Sequence, residues 1–397
     1  MSCSTGPAPF KRTVLVWTLY LLLGLFSFSL TLIGPAIPYL RQEFNLDYTL
    51  AALHMSMFAS GMVIGGLCAP SVLHRVGIVT GLWSGMAGIL AGVTLLVLAP
   101  TVWLTLGAIL VMSLFATLSL AAIQIALSSL FTLDRGKAFM EANVVASLGS
   151  ASAPFLIALG AMTLLGWRIV APAFGIALAA IACFGWAATR SHGRSEAANI
   201  PEVPGRLPLA YWVCWLFIFF CVAVEWCLGF WSAEYLKGLP GRSLSVAAAG
   251  TGVFQIAAIA GRLTSSRMAH KITETRIVVL GMAAVAAGFP LYWLRAGIPS
   301  AFTGLALCGA GASTFYPLAL SRAVASSGGR FRRANGYAPI ASGLALGLAP
   351  LALGRLADRH TLRTALLAIP MGILAMLALL SARKWAQRKV TSDGLAS

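Results

Sequence analysis

The sequence predicts an all-α integral membrane protein of about twelve transmembrane helices in two pseudo-symmetric six-helix halves. Three observations carry this. Of 397 residues, 59% are hydrophobic and only 10% charged, against about a quarter charged in soluble domains. Apolar runs of the ~20 residues that a helix needs to cross a bilayer follow one another with short polar breaks between them. Finally, the bases that give a net charge of +17 stand in small clusters between those runs, where they set topology. That placement excludes the nucleic-acid role such a charge would suggest in a soluble chain, and makes the lipid bilayer the expected partner.

Taken in order, a polar start precedes Lys11 and Arg12. The apolar run that follows is too long for a signal-peptide core and lacks a cleavage pattern, so it is the first helix, 13–40. Runs at 50–73, 78–98, 102–130, 138–165 and 169–188 complete the first six. The stretch 190–208 is polar and holds Pro201, Pro204 and Pro208, the signature of a solvated linker. Residues 1–189 and 209–397 are therefore read as two six-helix bundles. The second set of runs falls at 209–235, 246–268, 277–294, 301–324, 334–353 and 362–382. With the N-terminus inside, only Arg41, Arg168, Lys237, Arg242, Arg295, Arg355, Arg359 and Arg363 lie outside. All other lysines and arginines fall on the side of the termini, which predicts a multi-pass protein of the cytoplasmic (inner) membrane with both termini cytoplasmic.

The halves echo each other. Ala146-Ser147 is followed by Ala153-Pro154 and then Arg168, and Ala341-Ser342 by Ala349-Pro350 and then Arg363, with the same distance from the Ala-Ser pair to the arginine in both halves. The match falls in the fifth run of each half and in the start of the sixth, where a duplication into parallel repeats requires it.

The stretch 211–236, YWVCWLFIFFCVAVEWCLGFWSAEYL, places Glu225 near the middle of the seventh run. A carboxylate at that depth is costly unless it faces protein or water, so it is read as functional, with proton coupling as its role. At helical spacing it shares a narrow, small, weakly polar stripe with Cys221, Leu228, Gly229 and Ser232, a face fit to line a cavity. Gln255, one helix later at similar depth, is within reach of a hydrogen bond to it. Glu141, one to two turns inside the fifth run and close to Arg135 and Lys137, is expected in an ion pair at the cytoplasmic end and is the second proton-coupling candidate. Asn143 and Trp226 join Gln255 as candidates for the substrate cavity. Arg262 and Arg322 are read as snorkelling side chains near helix ends, and His54 as interfacial.

The loop after the second run reads Pro70-Ser-Val-Leu-His74-Arg75-Val-Gly77, similar to the G-x-x-x-D-R-x-G signature of the major facilitator superfamily of secondary transporters, with His74 at the acidic position. Asp134-Arg135-Gly136-Lys137-Ala138 looks like that family's R-G-K/R-A entry to helix 5, and Gly166-Trp167-Arg168 like its G-W-R at helix 6. Gly354-Arg355-Leu356-Ala357-Asp358-Arg359 looks like the matching element of the second half. The sequence thus resembles that family over nearly its whole length. The resemblance implies a cavity lined by helices 1, 4, 7 and 10, which brings in Tyr316, and gating loops built on His74, Arg75, Asp134, Arg135, Asp358 and Arg359. Gly149-Ser-Ala-Ser-Ala153-Pro154 resembles the G-x-x-x-G-P motif of the family's antiporter branches, which leans the direction towards export.

No enzyme constellation competes: the sequence has no metal-spaced histidine cluster, P-loop or G-x-S-x-G turn. The expected function is secondary transport of a small organic solute, neutral or weakly charged, by alternating access and coupled to protons. No cofactor or metal is expected, and the expected form is a monomer. The alternative is a membrane-embedded enzyme or lipid-handling protein.

Overall fold

The computed structural model describes residues 12–131, 135–190, 205–239, 243–268, 271–328 and 330–393. Twelve helices among them are long and apolar enough to span a membrane. In the first half these are α1 (Val14–Phe44), α2 (Tyr48–Val76), α3 (Ile78–Leu98), α4 (Val102–Leu130), α5 (Arg135–Gly160) and α6, a 3-10 turn Gly166–Ile169 that runs into Val170–Arg190. In the second they are α7 (Leu209–Leu236), α8 (Leu244–Met268), α9 (Glu274–Leu294), α10 (Ile298–Ala325), α11 (Phe331–Arg359) and α12, a turn Leu362–Ala365 followed by Ala368–Asp393. Among the described residues there are no strands.

Local chemistry sets the boundaries. Asp47 caps α2 by accepting from the Leu50 N–H at 2.6 Å, the role of a short acidic side chain at a helix start. Gly77 ends α2 at φ +85°, a backbone that a residue with a Cβ rarely adopts. One expected helix is interrupted: α10 is two pieces, Ile298–Ala312 and Phe315–Ala325. The break lies at Ser313 and Thr314, just before Pro317. Proline has no N–H and its ring clashes with the carbonyl four residues back, here that of Ser313.

The packing repeats from half to half. The neighbours α1·α5, α2·α4, α3·α4 and α1·α6 of the first half correspond to α7·α11, α8·α10, α9·α10 and α7·α12 of the second. Between the halves, α2 meets α11, α5 meets α8, and α1 meets α7; exchanging the halves exchanges the first two pairs and leaves the third in place. The duplicated arginines follow the same rule. Arg168 donates to the Val97 carbonyl at the end of α3, and Arg363 lies over the Trp293 ring at the end of α9, 4.3 Å from its centroid.

Small residues let backbones approach, as membrane helices packed without a hydrophobic driving force require. A methyl group on Gly149 of α5 would run into the Gly24 backbone of α1, and one on Gly34 of α1 would stand 3.1 Å from the Phe230 Cα of α7. The Gly149–Pro154 motif is therefore part of the α1·α5 seam.

Candidate functional site

Twelve spans put the start of α1 and the end of α12 on one face, called here the terminal face; the opposite one is the far face. Glu225 lies near the middle of α7, and α7 touches α1 across the pseudo-twofold as well as α8, α10, α11 and α12 in its own half. Beside it, between the halves, is a cavity of about 160 Å³ open to water. Glu225, Trp226, Gln255 and Arg262 line it from the second half, and Leu30, Thr31, Met55 and Ser150 from the first.

The carboxylate has a partner. Arg262 of α8 donates from Nη2 to Glu225 Oε1 at 3.0 Å and from Nη1 to Ser147 Oγ of α5 at 3.2 Å. Its guanidinium therefore bridges the acid of one half to a hydroxyl of the other. Its side chain is 43% exposed, against 14% for Glu225. The expectation of a snorkelling Arg262 is thus corrected. The side chain turns inward because a carboxylate largely shielded inside the protein offers a charge-assisted hydrogen bond that the membrane surface does not. Gln255 shares the cavity with Glu225, but the Glu225 hydrogen bond goes to Arg262.

The other sequence candidates scatter. Tyr316 lies just beyond the break in α10, within electrostatic reach of Glu225. Asn143 is exposed, donates to the Phe139 carbonyl of its own helix at 2.8 Å, and is not among the lining residues of the central cavity. Glu141 is in an ion pair at the terminal end of α5, with Arg12: the guanidinium grips both carboxylate oxygens, at 2.8 and 3.0 Å. That bond raises the Arg12 pKa above its ordinary value. The pair ties the start of α1 to α5 within the first half. His54 is buried rather than interfacial: its Nδ1 donates to the Leu50 carbonyl at 3.0 Å, and Nε2 lies 2.9 Å from Thr105 Oγ1 of α4.

The proposed gating loops fall at opposite ends of the molecule. His74 and Arg75 are exposed in the last turn of α2, on the terminal face. Asp134 lies outside the described residues, and Arg135 begins α5 on that same face. Asp358 is at the far face, where its carboxylate accepts from the Tyr48 and Thr49 N–H groups at 2.7 and 2.8 Å. Arg359 is exposed beside it. The element at the end of α11 is therefore not the counterpart of the loop after α2. It binds the other end of α2, a helix of 29 residues and so roughly 43 Å long at 1.5 Å per residue. A carboxylate there meets free N–H groups and the positive end of the helix dipole.

Sequence reading missed a second interhalf clamp. Arg41 at the end of α1 pairs with Glu234 near the end of α7 and stacks 3.6 Å from the Tyr48 ring centroid. Ser56 of α2 also donates to the Gly347 carbonyl of α11 at 2.7 Å. These bonds close the two halves on each other towards the far face. The available signal was a second acid within the same aromatic helix.

A family model described as the Major Facilitator Superfamily matches residues 19–350. No curated protein matches the sequence. Among solved structures, the chain resembles a D-xylose-proton symporter (TM-score 0.71, 14% identity, 92% of this chain and 96% of that one). It also resembles the xylose transporter XylE from E. coli in a partially occluded inward open conformation (0.69, 13%, 93% and 97%). A third is a bacterial homolog of the human lysosomal transporter Spinster, inward-facing and occupied (0.71, 14%, 96% and 98%). Identities this low carry the fold alone. With the family match over most of the chain, a twelve-helix membrane fold and a water-open cavity between its halves, the chain belongs to the Major Facilitator Superfamily and is a transporter rather than an enzyme.

Proposed function

We propose that this protein moves a small organic solute across the cytoplasmic membrane by alternating access, driven by protons. Residues 1–189 and 209–397 act as the two units that rock, 190–208 as the linker between them, and a monomer suffices. The observation that carries the reading is the Arg262 bridge, which joins a carboxylate at the central cavity of one half to a hydroxyl of the other half. Changing the charge on Glu225 changes what holds the halves together at the cavity, which is what coupling an ion to a rocking motion requires. Glu225 takes and releases the proton; Trp226 and Gln255 touch the solute, with Tyr316 beside them.

The excess of bases on the terminal face supports cytoplasmic termini. The clamps at Arg41 and Asp358 then close the outside, and His74, Arg75, Asp134 and Arg135 act at the cytoplasmic mouth. That one structural neighbour is named a proton symporter supports coupling, whereas the Gly149–Pro154 motif favours export. Purified protein in liposomes, assayed with and without an imposed proton gradient, tests the reading: solute should concentrate only when the gradient is present, and gradient-independent equilibration would refute the coupling. Labelling of single cysteines placed near Arg194 and Lys389 should occur from the cytoplasmic side.

A further inference from the structure

The central cavity holds two ionisable groups of opposite sign, Glu225 and Arg262, and its other described lining residues do not titrate. Arg262 from α8 is bonded to Glu225; Tyr316 of α10 and Cys221, one turn back on α7, are the other titratable side chains whose charge couples to it. Arg322 of α10, the next charge, is engaged with Thr275 and Glu274 of α9. From α1, α2 and α5 come Leu30, Thr31, Met55 and Ser150, while α11 and α12 pack on α7 without a described residue in the cavity.

A site between helices, partly screened from water, favours states with no net charge, because an unpaired ion is costlier there than a pair. As observed, the site neutralises itself. Once Glu225 binds a proton, its carboxyl is neutral while Arg262, which stays charged at any physiological pH, has lost its counter-ion. A planar guanidinium with 43% of its side chain exposed then faces the cavity. A carboxylate matches its fork, bidentately, and restores neutrality. Trp226, Phe230 and Phe254 on the cavity wall suit an apolar body behind that carboxylate, and a dianion would leave the site with net negative charge.

We propose that the substrate is a small organic monoanion, a carboxylate above all, which takes the place of Glu225 on Arg262 as Glu225 takes up a proton. The proton forms an O–H bond on Glu225, leaves again on the other side, and accompanies one anion, so each transport step moves no net charge. This rests on the proton-coupled reading of the same site.

The test is thermal unfolding of the purified protein with lactate, pyruvate and benzoate, with the amides of the same three acids, and with inorganic phosphate and xylose. At least one carboxylate should raise the Tm by several degrees, more at acid than at neutral pH, and its amide should not. Calorimetry in two buffers of different ionisation enthalpy should count one proton taken up per carboxylate bound. Arg262→Gln should abolish the shift and Arg262→Lys, which keeps the charge, should weaken it. Glu225→Gln, a mimic of the protonated acid, should keep the shift and lose its pH dependence. Stabilisation by xylose or by an amide as strong as by its acid, preference for phosphate, no shift with any of the three carboxylates, or no proton uptake would each overturn the proposal. Proton-driven uptake of xylose would overturn the monoanion and leave the coupled reading standing; carboxylate uptake without proton movement would overturn the coupling.

Discussion

Two carboxylates on α7 are held by arginines, and the two pairs differ in what they join. Glu234 is 5% exposed and its partner Arg41 15%, so this pair is shut away from water, and it links the halves directly, charge to charge. Glu225 is paired with an arginine of its own half that is 43% exposed, and the link to the other half is a neutral hydroxyl, Ser147. Breaking a buried ion pair by removing one partner is strongly unfavourable, whereas a hydrogen bond to a neutral hydroxyl from a guanidinium 43% exposed, where water can replace it, contributes less. The first pair is thus placed to hold one face closed; under the proposed function, the second is the pair that a proton switches at little cost to packing.

That contrast ranks the substitutions. The largest effect belongs to Arg41→Ala, which leaves Glu234 buried with only Lys237, 3.9 Å away. A loss of about 3–5 kcal/mol of far-face closure should appear as labelling of a Ser56→Cys probe by an impermeant thiol reagent, in a background without native cysteines. Unchanged labelling would remove the clamp. Asp358→Asn comes next: it keeps an acceptor but loses the charge at the α2 N-terminus, with an expected effect on closure of roughly 0.3–1 kcal/mol, a severalfold rise in labelling of the same probe. Ser147→Ala is of comparable size, expected to remove about 1 kcal/mol, since water can take the hydroxyl's place on the exposed Arg262, and to change transport rate by a few-fold without altering coupling. If it abolished coupling, the hydroxyl bridge would matter more than the charge. A double substitution of Arg12 and Glu141 should leave the far-face probe unaltered, since that pair lies within one half.

The twelve spans and the duplication were legible because bilayer length and repeat spacing are one-dimensional signals. Glu225 was legible because an acid amid apolar residues stands out whatever surrounds it. The partner was not. Outside the stripe around Glu225, α7 is apolar on every face, since lipid and neighbouring helices are equally apolar, so its sequence does not say which neighbour that stripe meets, and the 37-residue separation from Arg262 carries no period. The far-face element at Asp358 was misassigned for a related reason: the charged motif looks alike at either membrane face, and only the helix count distinguishes them.

Proton-driven accumulation by Glu225→Gln tests the central claim most directly. The amide keeps the shape and can still hydrogen-bond Arg262, but it cannot carry a proton. In liposomes, with a solute that the parent protein concentrates, the variant should exchange labelled for unlabelled solute at a rate near that of the parent and yet fail to accumulate it when a proton gradient is imposed. Accumulation equal to the parent's, with the same pH dependence, would contradict the account and leave Glu225 a structural residue.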